Sequence, residues 1–162
     1  MDSKKKIGYY PPLAFHFAVH FNFGQGEDDK NEQHFQSVSG LSVDLETEEI
    51  AEGGENRFKH KIPVRTKYPN LVLKRGMLVN SKVIDWCKEG IFNANYAPVD
   101  LTVHLLSIPE ENDQENPVTK TLRSWNIVHA YPIKWSVADF NAEESKVLIE
   151  TIELTYNYFT VD

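Results

Sequence analysis

Trp135-Ser-Val-Ala-Asp-Phe-Asn-Ala-Glu-Glu-Ser-Lys146-Val-Leu-Ile-Glu-Thr-Ile-Glu-Leu-Thr-Tyr-Asn-Tyr-Phe159 is the stretch that decides the fold. From Leu148 onward, Ile152, Leu154, Tyr156 and Tyr158 share one parity, and Thr151, Glu153, Thr155 and Asn157 share the other. Period two with a β-branched and aromatic apolar side is the pattern of a half-buried strand. Run from Lys146 to Phe159, such a strand spans roughly 40 Å. Glu150 interrupts its apolar face near the start. In front of it, Asp139 to Ser145 reads as a turn, because Asp and Asn bond locally to the backbone.

Working outward, the same period recurs. Leu13 to Phe23 alternates cleanly, with Phe15, Phe17, Val19 and Phe21 on the side that must be buried. In Phe35 to Glu48, Leu41, Val43 and Leu45 alternate with polar residues, but Val38 falls on the wrong parity, and a β-bulge at Gly40 would reconcile the registers. Leu71 to Leu73 is a short strand, and Val99 to Ile108, Leu122 to Tyr131 and Ile133 to Val137 are three more, with a bend at Pro132. The polar, acidic Pro109 to Pro117 reads as a hairpin tip. Asn80 or Ser81 can cap a helix whose apolar face is Val83, Ile84, Cys87 and Ile91, with Gly90 at its end. The expected class is mainly β: an antiparallel sandwich or barrel of about seven strands with one short flanking helix. The expected core includes Phe15, Phe17, Phe21, Leu41, Trp86, Trp135, Ile152 and Leu154.

One segment fits no core. Glu46, Glu48, Glu49, Glu52 and Glu55 surround Gly53-Gly54, and Arg57, Lys59, Lys61 and Arg65 follow at once. Acid directly followed by base is unusual over so short a span. It reads either as two solvated loop arms or as complementary surfaces meeting between copies of the chain.

The 162 residues fit one domain, with residues 1–11 as an N-terminal arm and 46–67 as an extended excursion. No apolar run approaches the roughly 20 residues of a membrane helix, and no signal peptide or membrane anchor is read. Cys87 is the only cysteine, so no internal disulfide is expected and folding in the cytosol is expected. A net charge of −7 argues against a protein that grips phosphates or reads nucleic-acid sequence. No phosphate-binding glycine loop, nucleophile elbow, His-Glu-x-x-His or paired Cys ligands appear. His16 and His20 share a strand face but stand roughly 13 Å apart, too far to share a metal. No enzymatic activity, metal or cofactor is expected.

Five motifs in order go further: Pro12-Leu-Ala-Phe-His-Phe17, Phe35-Gln-Ser-Val-Ser-Gly-Leu41, Glu52-Gly-Gly-Glu-Asn56, Leu71-Val-Leu-Lys-Arg-Gly76, and Trp135 to Tyr156. Together they resemble the tail-tube proteins of contractile phages and phage-like contractile injection systems. That resemblance implies hexameric rings stacked into a hollow tube inside a contractile sheath, with baseplate and cap or terminator proteins as partners and cargo in the lumen. It implies a particle component made and assembled in the cytoplasm, found in a virion or an extracellular particle. It makes the acidic and basic arms candidates for ring stacking. It makes Asp100, Thr102, Ser124, Asn126, Thr151, Glu153 and Thr155 candidates for the channel wall. The alternatives are a tube-initiator or tube-end protein of the same machine and, more remotely, a monomeric β-barrel that binds a small ligand.

Overall fold

The computed structural model describes residues 17–24, 32–33, 35–54, 57–78, 81–107, 120–139 and 147–162. The N-terminal arm, Phe15, Glu55 and the expected hairpin tip lie outside them. The elements are β1 (Phe17–Asn22), β2 (Glu32–Gln33), β3 (Ser37–Ser39), β4 (Asp44–Ile50), β5 (His60–Lys67), β6 (Leu71–Gly76), α1 (Lys82–Phe92), β7 (Val99–Leu106), β8 (Thr121–Val137), β9 (Ile149–Thr155) and β10 (Tyr158–Val161).

All pairings among the described strands are antiparallel. The main sheet runs β2-β1-β7-β8-β9-β6-β3, with β10 also on β8. The 17-residue β8 serves two ladders. Its first half pairs with β7 and β10, and its second half pairs with β9. The handover falls where His129 takes a positive φ of 53° and the register slips between Pro132 and Lys134. Val19, Phe21, Leu101, Val103 and Ile127 from the first ladder share one core with Leu71, Leu73, Ile152 and Leu154 from the second. Helix α1 joins that core through Val83, Ile84, Trp86 and Cys87. Trp86 meets the Phe21 and Phe23 rings edge-on, at 6.1 and 5.9 Å, and its Nε1–H donates to the Ala97 carbonyl.

The anchoring stretch differs from its expected form. It is two strands, broken at Tyr156-Asn157, because β10 crosses to pair with Trp125–Val128. Parity changes at that break, so Tyr158 is exposed while Phe159 packs against the core. The long strand is β8, which passes through Pro132 without ending. Gly40 is no bulge. Its φ of 95° closes β3, and any Cβ there would run into the Asn70 carbonyl. The helix runs past Gly90 to Phe92, and the side chain of its N-cap residue Ser81 makes no capping bond. Val43 and Leu45, which alternate with polar residues in the expected strand, are both exposed.

Glu150 does sit on the apolar face, 1% exposed, and it is matched there. Arg75 stands opposite it in the β6–β9 register. Arg75 Nε donates to Glu150 Oε2 at 2.9 Å, and Trp135 Nε1 donates to Oε1 at 2.8 Å. Arg75 Nη2 donates to the Ser81 hydroxyl, and the guanidinium lies 5.3 Å from the Phe35 ring centre. One buried charge pair thus ties β6, β8, β9 and the start of α1 together. Cys87 lies in the same region, and burial above all, with Glu150 adding, pushes its thiol up to about 12. It is an inert core thiol.

The alternation on β9 sets up a contrast. Leu154 is fully buried, so Leu154→Ala should cost about 2–5 kcal/mol. Thr151 is only half-buried, on the opposite face, and Thr151→Ala should stay within about 0.5 kcal/mol. Urea unfolding followed by circular dichroism measures both. Equal losses would mean that both faces of β9 are packed, and a larger loss at Thr151 that the two faces are assigned the wrong way round.

Candidate assembly surfaces

Strands β4 and β5 form a separate two-stranded sheet, an arm hung between β3 and β6. Every residue of both strands is exposed. The acidic and basic segments are therefore paired strands rather than loops. They are two strands of one hairpin, and their charges answer each other inside the chain. Glu46 pairs with Arg65 at 3.2 Å, Glu49 with Lys59 at 3.5 Å, and Glu52 meets His60 at 3.4 Å. Lys61 stands opposite Glu49 in the ladder, and Glu48 stands opposite Ile62. The missed signal was the pairing itself: period two was hidden because neither face of the arm is buried.

The arm also carries apolar surface. On its outer half, Glu48, Ile50, His60 and Ile62 share one face, and the Phe58 ring stands edge-on to His60 at 5.0 Å. Ile50, Phe58 and Ile62 are each about half exposed, at 45%, 52% and 46%. An isolated two-stranded hairpin is marginal in water, so such a face calls for a covering surface.

The expected channel-wall residues fall into two groups. Asp100, Thr102, Ser124 and Asn126 share the outward face of β7 and β8. There Thr102 Oγ1 donates to Asn126 Oδ1, Asn126 Nδ2 donates to Asp162, His104 bonds Ser124, and Asp100 accepts from the His129 amide. Thr151, Glu153 and Thr155 lie on the outward face of the other ladder, across the core, beside Lys74, Lys134 and Ser136. Of the expected core residues, Phe21, Trp86, Ile152 and Leu154 are buried, and Phe17, Leu41 and Trp135 are half-buried against the core.

A further surface was not anticipated. Where the C-terminal end of α1 crosses β8, an open pocket of about 640 Å³ is lined by Gly90, Ile91, Tyr96, Pro98, Tyr131, Pro132 and Ile133. A Cβ on Gly90 would come within 3.0 Å of the Pro132 ring, so the helix sits directly on the strand at the pocket floor. Phe92 beside it is 68% exposed.

Among the described residues, two β ladders and one helix carry a projecting hairpin with exposed apolar side chains, features suited to a subunit that associates. The chain matches the family of the T4-like virus tail tube protein gp19 over residues 13–160 and belongs to that family. It is a structural subunit of the tail-tube class. No curated protein sequence matches it significantly. Among solved structures, it is similar to a chain of the anti-feeding prophage baseplate, 6-fold symmetrised, at 26% identity and TM-score 0.80, covering 94% of this chain and 96% of that one. It is similar in fold to a chain of the sheath-tube complex of an extracellular contractile injection system in the extended state (20%, TM-score 0.73, 100% and 98% covered). A chain of the anti-feeding prophage cap also shares the fold (23%, TM-score 0.72, 94% and 91% covered).

Proposed function

We propose that this chain forms hexameric rings that stack into the hollow inner tube of a contractile injection particle or phage tail. The family match over residues 13–160 carries this reading. Within a ring the contact is head to tail and closes. Between rings it is also heterologous but stays open, which makes a filament. The exposed arm supplies an element suited to the second kind of contact. Contraction of a surrounding sheath drives the rigid tube through a target envelope, and cargo passes through the lumen. Baseplate and cap proteins hold the tube ends. No enzymatic step or cofactor belongs to this reading. Assembly takes place in the cytoplasm before the particle acts outside the cell.

A ring has one inner wall, so only one of the two polar faces lines it. In assembled tubes, a bulky maleimide should reach just one of Thr102→Cys and Thr155→Cys, and the shielded one marks the lumen. The similarity to baseplate and cap chains favours a second reading, a tube-initiator or tube-end subunit. Negative-stain microscopy of the purified chain decides between them. Long tubes support the tube subunit, single rings that do not stack support the end protein, and a monomer at every concentration would overturn both.

A further inference from the structure

Among the described residues, β4 and β5 pack on each other and on no other strand or helix, and neither buries a side chain. The direction in which the arm points is therefore set at its root, where the chain enters through Gly40 to Ser42 and leaves through Tyr68 to Asn70. Both crossings meet one feature, the corner between β9 and β10. On the entry side, the Gly40 carbonyl accepts from the Tyr156 hydroxyl at 3.3 Å and from the Ser42 amide at 2.9 Å. On the exit side, the Tyr68 ring stands 6.0 Å from Tyr156 and lies edge-on to Phe159 at 5.4 Å. Asn70 Nδ2 donates to Glu153 Oε1 at 2.8 Å. With no side chain of its own, Gly40 lies against the Asn70 backbone, so the two crossings also touch each other.

We infer that the β9–β10 corner is a clasp that fixes the direction of the arm, with Tyr156 as its positioning residue. The clasp gives the strand break at Tyr156-Asn157 a reason. An unbroken strand would keep one parity and carry only one of Tyr156 and Phe159 to the arm root, whereas the break brings both there, with ring centres 6.4 Å apart. The corner is also a fixed point, because β9 is held by β6 and β8, and β10 by the first half of β8. Tyr156 is 9% exposed, and burial above all, with Tyr68 adding, raises its hydroxyl above the ordinary tyrosine value. It stays protonated and donates to the Gly40 carbonyl. An element already held in its final direction loses less freedom on association than one that swings. That consequence for assembly rests on the tube-subunit reading, while the clasp itself is a property of the single chain.

The test uses the full chain with a maleimide dye on Glu48→Cys, an exposed position on the arm. Cys87, buried with its thiol pushed up to about 12, does not compete for the dye. Time-resolved anisotropy at nanomolar concentration, where chains are separate, reports arm motion on the nanosecond scale. In the parent chain, the dye should rotate with the whole molecule apart from its own local wobble. Tyr156→Phe removes only the hydroxyl, and Asn70→Ala releases the exit side. Each should add a faster component, and the two together a larger one, with the melting temperature unchanged. The double variant without dye should also form tubes several-fold more slowly than wild type. Identical decays for the parent and the double variant, or a fast component already present in the parent, would overturn the clasp and leave the tube reading standing. Normal tube growth from a variant whose arm swings would overturn its part in assembly. A clear difference in decay from a chain that never assembles would overturn the tube reading and leave the clasp standing.

Discussion

Glu150→Ala should be among the most damaging single substitutions in this protein. It removes the carboxylate that faces the Arg75 guanidinium across β6 and β9 and leaves the Trp135 indole N–H without its acceptor. Arg75 is 1% exposed, so the cation stays in the core among the Ser81 hydroxyl and the Phe35 ring. Breaking one partner of a buried pair costs about 3–5 kcal/mol, against a total stability of about 5–15 kcal/mol. At about 2–4 °C per kcal/mol for a chain of this size, the melting temperature falls by roughly 6–20 °C. Calorimetry measures the fall, and Cys87 reports it independently, because its buried thiol becomes reactive only when this region opens. The double variant Arg75→Met, Glu150→Leu should recover much of the loss, since apolar replacement of a whole buried pair is often neutral. A melting temperature within about 3 °C of wild type for Glu150→Ala would mean that the network contributes little.

That network also marks where sequence reading stops. Alternation located β1, β7 and β9 and put Phe21, Ile152 and Leu154 in the core, because a strand buried on one face writes its burial directly into parity. Glu150 was visible as an exception on the apolar face, but its partner is 75 residues away. Nothing local in Lys74-Arg75-Gly76 tells a buried arginine from a solvated one at the end of a strand. The break at Tyr156-Asn157 was hidden for a related reason. Aromatic residues occupy both parities there, so Tyr156 and Phe159 can each face the core while the strand changes partner. The arm failed in the opposite sense. Both its faces meet solvent in the single chain, so no hydrophobic period exists to read, and only the charge pattern hinted at pairing. The pocket by α1 draws on residues from 90 to 133, which only the fold brings together.

Deleting the arm should abolish stacking and leave the fold intact. A variant lacking residues 43–67, with Ser42 joined to Tyr68 through two glycines, keeps the β3–β6 pairing of Ser37–Ser39 with Val72–Lys74. It also keeps Leu41 and Tyr68, the half-buried side chains that pack against the core on either side of the arm. Nothing within β4 or β5 is buried, so the melting temperature should stay within a few degrees of wild type. Microscopy should show rings or free subunits and no tubes. Salt separates two accounts of the same loss. Exposed ion pairs contribute only about 0.2–1 kcal/mol each and weaken with ionic strength. If those charges joined the copies, wild-type tubes would dissolve at high salt. The Glu46–Arg65 and Glu49–Lys59 pairs instead close within one hairpin, and the apolar surface left for a neighbour includes Ile50, Phe58 and Ile62. Apolar contact does not weaken as salt rises, so wild-type tubes should persist at high salt while the deletion variant fails to stack at any salt. Tubes of normal length from the deletion variant would take the arm out of the stacking contact and leave it a solvated hairpin.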